Sequence, residues 1–409
     1  MDRQEMAIKK LQDAHQEHVL RFWEELTEGE REALAAQVMG IDFSVLEAAQ
    51  EGPAPAEGAS VRPLPALELD ETEREKERFE AAGIKALQEG KVCAVLLAGG
   101  MGTRLGSSEP KGMFDLGKTR HVYIFQRSFE ELLKVCERIG RPIRFFIMTS
   151  ELNDEATRRF IREQNYFGYD PDYVTFFTQD MAPAVDFSGR VLMESKGRIA
   201  TAPNGNGGWL TSMARAGLLD LMHREGIEWI NVFGVDNVLA RICDPVFVGA
   251  TLLSGCATAV KVVRKAFPEE KMGVMCLKDG RPGVIEYTEL TDELRNEKNA
   301  QGEPAYNFGV TVNYLFDLAE AEKVMNGSFA LHLARKKIPC IDEEGRAIAP
   351  EEPNGIKFEL FIFDLLSQMP GCLPVEVVRE REFAPVKNRT GVDSVESARE
   401  LLELNGISL

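Results

Sequence analysis

The chain has 409 residues, of which 44% are hydrophobic and 28% charged, enough for two or three domains around a sizeable core. Its formal net charge of −18 argues against a general affinity for nucleic acid or anionic membranes. No apolar run approaches the ~20 residues of a membrane span, and the seven cysteines include no CxxC pair, so we expect a cytoplasmic protein with reduced thiols.

The N-terminal region predicts helices followed by a linker. Its start, MDRQEMAIKKLQDAHQEHVL, lacks the apolar centre of a secretory signal. Apolar residues around Trp23 and Leu26 recur at helical spacing, and Thr27-Glu28-Gly29-Glu30 fits a capping box that opens a second helix. The Pro-, Gly- and Ala-rich run from Glu51 to Pro65 is typical of a linker or surface wrap. The charged helix ETEREKERFEAAGIKALQEG then leads into the first strand, so we predict a helical region over residues 1–90.

From Lys91 onwards, apolar strands alternate with helical stretches. Continuous β-branched or aromatic runs are typical of buried parallel strands, and they are VCAVLLAGG, IRFFIMTS, VTFF, INVFGVDN and ATAVKVV. Helices are predicted around Phe129–Cys136 and Leu210–His223, so we expect an α/β domain with a mainly parallel sheet. After about Gly273 we expect closely spaced antiparallel strands at GVMCL, GVIEYTEL and NFGVTVNYLF. An amphipathic helix is predicted at about Val395–Leu404.

A glycine-rich loop, LLAGGMGTRLGSSEPKGMFDLG, follows the first strand from Leu96 to Gly117. Glycines this dense after an apolar run are typical of backbone that approaches a phosphate. The loop is not a P-loop, because Lys111 lies between Pro110 and Gly112. It fits the dinucleotide fingerprint poorly, because Pro110, Gly112 and Gly117 keep the chain in a loop where that fingerprint requires a helix. We interpret it as a long loop around a nucleoside triphosphate, in which Arg104 and Lys111 bind phosphate charge.

A carboxylate, Asp236, ends the apolar strand INVFGVDN, and Asn237 stands beside it. Ligands of open α/β sheets bind outside the carboxyl ends of the strands. Mg²⁺ is typically held by one or two carboxylates together with substrate phosphates. From these residues alone, a metal ligand and a carboxylate that caps the following turn are equally good interpretations of Asp236.

The loop and seven later blocks resemble the UDP-sugar pyrophosphorylase family, and are most similar to its eukaryotic UDP-N-acetylglucosamine/galactosamine pyrophosphorylases. The loop resembles LAGGxGTRL followed by PKG, and the later blocks are FFTQDMAPA, APNGNGG, FGVDN, GVIEYTEL, KKIP, PNGIKFELFIFD and EFAPVKN. The resemblance covers about Val92 to Asn388. It implies a Rossmann-like, GT-A-like nucleotidyltransferase fold with a mixed, mainly parallel sheet. We expect a catalytic domain over 91–374 and a short C-terminal segment over 375–409 that closes on the active site.

The same resemblance implies roles for individual residues. The groups that would contact the nucleotide are Leu97, Ala98, Gly99, Gly100, Gln179 and Gly205. Those that would contact the sugar are Asn206, Glu286 and Asn307. The phosphates would be held by Arg104, Lys111 and Lys387, and Asp236 would hold Mg²⁺ or Mn²⁺.

The implied reaction joins UTP and a sugar 1-phosphate, with N-acetylglucosamine 1-phosphate as the first expectation, to give a UDP-sugar and pyrophosphate. This chain has YNFGVTVN where the family's sugar-binding block is roughly FNAGNIAN, so Val310 replaces an asparagine. A glucose-specific or broad UDP-sugar enzyme therefore stays an alternative, as does a non-catalytic nucleotide-sugar sensor. We expect no nucleic-acid or membrane partner, and no protein partner is evident.

Overall fold

Short helices and strands follow one another along the chain. The computed structural model describes residues 2–43, 45–46, 60–325 and 332–409. Within these ranges no helix is both long enough and apolar enough to cross a membrane. The α-helices are α1 (Arg3–Asp13), α2 (Glu28–Gly40), α3 (Leu69–Arg74), α4 (Lys76–Gln88), α5 (Ile124–Ile139), α6 (Asp154–Glu163), α7 (Trp209–Arg215), α8 (Leu218–Glu225), α9 (Pro245–Ser254), α10 (Asp292–Asn296), α11 (Leu318–Met325), α12 (Arg379–Glu382) and α13 (Val395–Leu404).

The strands are short, and the continuous apolar runs account for the buried ones. They are β1 (Val61–Pro63), β2 (Val92–Leu97), β3 (Phe145–Thr149), β4 (Val174–Thr178), β5 (Met181–Pro183), β6 (Val185–Asp186), β7 (Met193–Ser195), β8 (Arg198–Ile199), β9 (Thr201–Pro203), β10 (Trp229–Gly234), β11 (Thr258–Arg264), β12 (Val274–Lys278), β13 (Arg281–Ile285), β14 (Phe308–Asp317), β15 (His332–Lys336), β16 (Cys340–Ile341), β17 (Ala347–Ile348), β18 (Gly355–Glu359) and β19 (Cys372–Glu376).

Most predicted elements are confirmed, and the exceptions have local causes. The charged helix before the first strand is divided into α3 and α4 at Glu75. The predicted helix over Leu210–His223 is likewise two helices, because Gly217 adopts a left-handed φ of 70°. The strand expected at GVIEYTEL ends at Ile285, where a turn begins. The predicted linker lies outside the described residues up to position 59, but Val61–Pro63 form β1 and pair with β12.

The chain divides into two compact units. One contains the described residues of 1–57, 180–208 and 329–362, and the other those of 58–179, 209–328 and 363–409. This division differs from the predicted ranges, since residues 58–90 and 375–409 belong to the unit that contains most of 91–374.

The smaller unit packs helices α1 and α2 with short antiparallel strands. Both helices begin with a capping box, and Thr27 with Glu30 forms the one that the sequence predicts. Gln37 holds α2 to β8, because its amide donates to the Ile199 carbonyl oxygen and accepts from the Ile199 N–H. The core consists of buried apolar side chains, among them Leu11, Val185 and Phe358.

The larger unit is built on a mixed sheet in the order β1-β12-β14-β10-β2-β3-β4, with β11, β13 and β19 paired beside this path. The strands from β10 to β4 are parallel, and β14 runs antiparallel to both β10 and β11. Strand β14 pairs with β12 at Gly309 and with β10 from Asn313. Between these positions Val312 has a φ of 54°, a strained conformation for a β-branched residue. The predicted mixed α/β fold with a mainly parallel central sheet is confirmed.

Two glycines let helices α4 and α9 touch backbone to backbone. A Cβ atom on Gly249 would lie 1.7 Å from the Phe79 carbonyl oxygen, and one on Gly83 would lie 1.9 Å from the Pro245 carbonyl oxygen. Any side chain would therefore force the helices apart. Buried residues of both helices, such as Phe79 and Phe247, belong to the same core as the central strands, so separating the helices would disturb that core.

We predict that Gly249→Ala lowers the free energy of unfolding by about 1–3 kcal/mol, because overpacking at this crossing cannot relax without moving a helix. Chemical denaturation provides the measurement. Gly29→Ala is the matched control, since a Cβ atom there meets nothing within 4 Å. Equal stability of Gly249→Ala and the wild-type protein would show that the helices separate freely.

Candidate active site

Parallel pairing brings two chain segments to one edge of the sheet. Strands β2 and β10 pair in register from Val92 opposite Trp229 to Leu97 opposite Gly234. The glycine-rich loop leaves the end of β2, and Asp236 follows the end of β10. The loop and the carboxylate therefore share the carboxyl edge, where ligands of open α/β sheets bind.

The loop folds back on itself through main-chain hydrogen bonds. The N–H of Gly102 donates to the Glu109 carbonyl oxygen (2.8 Å), and the N–H of Lys111 donates to the Gly100 carbonyl oxygen (3.2 Å). Gly112 packs against the Phe125 ring, which a Cβ atom would approach to 2.3 Å. The first described α-helix after β2 is α5, so the helix that a dinucleotide fingerprint needs is absent from this described part of the chain.

Asp115 closes the far end of this loop. Its Oδ1 accepts from the N–H groups of Gly117 (2.8 Å) and Val122 (3.0 Å), and its Oδ2 contacts His121 Nδ1. Partial burial alone would raise the pKa of Asp115, but His121 and the two N–H groups outweigh it and lower that pKa. The carboxylate is thus held in the charged form that these donors require.

Lys111 and Asp236 form an ion pair at the shared edge. The distance from Lys111 Nζ to Asp236 Oδ1 is 2.7 Å, and the lysine side chain is 13% exposed while the aspartate is 39% exposed. The turn after β10 is capped by Asn237 instead, whose Oδ1 accepts from the N–H groups of Leu239 and Ala384. The sequence leaves two interpretations of Asp236 open, a metal ligand and a turn cap. The turn is capped by Asn237.

The surroundings of Asp236 are suited to a metal that arrives with phosphates. Among the described residues, no group of three or more His, Cys, Asp or Glu side chains could enclose a metal ion. A single accessible carboxylate beside a lysine fits Mg²⁺, which commonly uses one or two carboxylates and takes its other ligands from phosphates and water.

The segment that contains Lys387 is hydrogen-bonded to the Asp236 turn. The N–H of Val386 donates to the Asp236 carbonyl oxygen (2.8 Å), and the N–H of Val238 donates to the Ala384 carbonyl oxygen (3.2 Å). Lys387 follows directly, and its Nζ lies 3.1 Å from Asp393 Oδ2. The C-terminal segment therefore runs along the same edge as the loop lysine and the strand carboxylate.

Gln179 and Gly99 are in direct contact, as two residues of one nucleotide site would be. A Cβ atom on Gly99 would lie 2.6 Å from Gln179 Nε2, so only glycine leaves the amide in place. Gln179 is buried, and its N–H donates to the Thr149 carbonyl oxygen at the end of β3. Gly100, in contrast, is exposed and faces open space.

Asn153 is a supporting residue that the sequence analysis missed. It is fully buried, and its Nδ2 donates to the carbonyl oxygens of Ala98 (2.9 Å) and Gly100 (3.3 Å). Its Oδ1 accepts from the Ser150 N–H, so both ends of the amide are used. The available signal was its place just after β3, at the edge where the glycine-rich loop begins.

The remaining predicted residues occupy varied settings. Arg104 is exposed on the loop, whereas Leu97 and Ala98 are buried. Asn307 lies at the start of β14, and its Oδ1 accepts from the Lys265 N–H (3.1 Å), so this oxygen already holds the backbone.

The last three predicted residues are Glu286, in the larger unit, and Gly205 and Asn206, in the smaller unit. Glu286 begins the turn after β13, and its Oε1 faces Gly273, where a Cβ atom would be 3.3 Å away. Within the smaller unit, Gly205 has a φ of 86° and packs against the Leu360 backbone. Asn206 Oδ1 accepts from the Ile362 N–H (3.0 Å).

Comparisons with known proteins give one consistent answer. Residues 53–404 match the sequence profile of the UTP–glucose-1-phosphate uridylyltransferase family. The human UDP-N-acetylhexosamine pyrophosphorylase-like protein 1 is 38% identical over 418 residues, covering 96% of this chain and 82% of that protein. The Saccharomyces cerevisiae UDP-N-acetylglucosamine pyrophosphorylase is 34% identical over 421 residues, covering 95% and 87%.

A solved structure is similar over nearly the whole chain. It is the uridine diphosphate N-acetylglucosamine pyrophosphorylase from Trypanosoma brucei in complex with an inhibitor, with a TM-score of 0.83 and 32% identity. The superposition covers 98% of this chain and 84% of the other.

We predict that Gly99→Ala weakens UTP binding by about fivefold to 100-fold, because the added methyl group displaces the Gln179 amide at an overpacking cost of about 1–3 kcal/mol. Titration calorimetry with UTP is the measurement. In a double-mutant cycle, Gln179→Ala should remove most of the Gly99→Ala effect, since both changes act through one amide. Fully additive losses would show that Gly99 acts independently of Gln179.

Proposed function

The chain belongs to the UTP–glucose-1-phosphate uridylyltransferase family, and we propose that it makes UDP-N-acetylglucosamine and pyrophosphate from UTP and N-acetylglucosamine 1-phosphate. The observation that carries this proposal is the 2.7 Å pair of Lys111 and Asp236. It joins a cation for the leaving phosphates and an anion for their metal ion at the edge where the glycine-rich loop begins. The names of the relatives favour an N-acetylhexosamine as the sugar.

The proposed reaction needs charge and position more than proton transfer. A phosphate oxygen of the sugar 1-phosphate attacks the α-phosphorus of UTP, the bond from that phosphorus to the bridging oxygen breaks, and pyrophosphate leaves. The nucleophile is already an anion, so no general base is required. Lys111 and Arg104 hold the departing phosphates, and Lys387 contacts the reacting phosphates from the C-terminal segment.

Asp236 would hold Mg²⁺, and the bound ion would neutralise charge on the reacting phosphates. Lys111 would then exchange its contact with the carboxylate for contacts with phosphate oxygens. Because the Lys111 side chain is only 13% exposed, water screens its charge less than it would at the surface.

Sugar choice rests on fewer observations. Asn307 accepts backbone hydrogen bonds from Lys265, and Val310 pairs with Val262 inside the sheet, so the altered block is partly structural. This favours a sugar site in which Glu286 supplies the main polar contact. Glucose 1-phosphate is the second candidate, and Val310 is the residue that supports it.

We also propose that the protein works in the cytoplasm. All seven cysteines are free thiols, and burial raises the pKa of Cys276 to about 11, so this thiol stays protonated and unreactive at neutral pH.

We predict that Lys111→Ala and Asp236→Ala each lower turnover at least about 100-fold with the fold retained, because each removes charge that stabilises the transition state. Pyrophosphate release at saturating UTP and Mg²⁺ is the measurement. Lys118→Ala is the matched control, since this lysine forms an exposed ion pair with Glu403. Near wild-type turnover in either site variant would refute the assignment, and a non-catalytic sensor would release no pyrophosphate at all.

A second prediction concerns the sugar. With N-acetylglucosamine, N-acetylgalactosamine and glucose 1-phosphates assayed side by side, we expect the highest kcat/KM for N-acetylglucosamine 1-phosphate. Val310→Asn restores the asparagine of the family's block, so it should shift the ratio of N-acetylhexosamine to glucose turnover if this position contacts the sugar. A higher kcat/KM for glucose 1-phosphate in the wild-type protein would favour the alternative.

A further inference from the structure

Strand β11 carries a buried lysine that none of the proposed roles uses. The side chain of Lys261 is 1% exposed. Its Nζ donates to Glu382 Oε2 (2.6 Å) and Asp244 Oδ2 (2.8 Å), and lies 3.5 Å from the Arg241 carbonyl oxygen. A charge this deeply buried is unfavourable unless all of its donors are matched, as they are here.

The two carboxylates that Lys261 contacts belong to the two segments that meet at Asp236. Asp244 lies at the end of the turn that follows β10, where it caps α9 by accepting from the Val246 N–H. Glu382 immediately precedes the segment that leads to Lys387, and its carbonyl oxygen accepts from Asn237 Nδ2 (2.7 Å). Lys261 therefore links the turn after β10 to the segment that leads to Lys387.

The charges of Lys261 and its two carboxylate partners favour their contact. Burial alone would lower the pKa of Lys261, but Asp244 and Glu382 outweigh it, so the amine stays charged. Arg241 Nε lies 3.8 Å from Glu382 Oε1 and adds a second, half-exposed cation. Burial raises the pKa of Glu382, while the contacts with Lys261 and Arg241 oppose that rise.

We propose that Lys261 is a positioning residue that, through Glu382, sets the distance between Asp236 and Lys387. The segment after Glu382 is bonded to the turn through the N–H groups of Ala384, Val386 and Val238, so a displaced Glu382 would shift this whole short ladder. The role rests on the proposed function. Loss of the anchor should lower kcat much more than it weakens UTP binding, because Gly99 and Gln179, which would hold the nucleotide, lie on the β2 and β4 side.

The decisive variant is Glu382→Asp, which keeps the charge but shortens the side chain by one methylene group. A misplacement of about 1 Å costs up to about 100-fold in rate, so we expect kcat to fall at least about tenfold, with the dissociation constant of UTP within about threefold of wild type. Lys261→Met should have a similar or larger effect, and Lys261→Met with Glu382→Gln covers the case in which the single change fails to fold.

Glu376→Asp is the matched control. Glu376 is also buried and paired, here with Arg264 Nε at 2.7 Å, but it belongs to β19 and takes no part in the ladder. The Glu376→Asp variant should lose about as much stability as Glu382→Asp, while its kcat stays near the wild-type value. Amide hydrogen exchange gives a readout independent of activity, since Ala384, Val386 and Val238 should exchange faster in Glu382→Asp and not in Glu376→Asp.

Each outcome has a clear reading. Unchanged kcat in Glu382→Asp, or an equal loss in Glu376→Asp, would overturn the positioning role and leave the proposed function standing. A wild-type protein that releases no pyrophosphate with any of the three sugar phosphates would overturn the proposed function, and this role with it.

Discussion

The parallel pairing of β2 with β10 is the constraint on which the site depends. The two strands end side by side, so residues 125 positions apart in the chain, Lys111 and Asp236, meet at one edge. Both strands are buried on both faces, so a shift of one residue would exchange the side chains that pack on the two sides of the sheet and disrupt a close-packed core. The fixed register of two apolar strands thereby determines where a cation and an anion meet.

Around this pairing, polar side chains hold loops that also anchor themselves in the main core through buried apolar residues such as Leu105 and Leu116. Asn153 holds the start of the glycine-rich loop, Asp115 holds its end, and Asn237 holds the turn after β10. Asn153 donates to loop carbonyl oxygens, whereas Asp115 and Asn237 accept from backbone N–H groups, and these bonds leave the loop backbone with few alternative conformations. Such pre-ordering suits a reaction whose catalysis consists mainly of placing charge.

The parts of the molecule that sequence reasoning predicts well are those with local causes. Continuous apolar runs predict β2, β3 and β10, and the capping box at Thr27 predicts the start of α2, because each pattern acts within a few residues. Lys261 could not be predicted, since its carboxylate partners come from two distant segments. The division into two discontinuous units has the same cause, for it depends on which strands pair across long intervals.

The ladder beside Asp236 also has a consequence for how the molecule is made. Asn237 and Ala384 are 147 residues apart, so a ribosome that has finished the glycine-rich loop and β10 has still to synthesise the segment that closes the site. Until then the carboxyl edge has its lysine and carboxylate but lacks its last partner. Catalytic competence therefore arrives late in biosynthesis, after most of the sheet has had time to form.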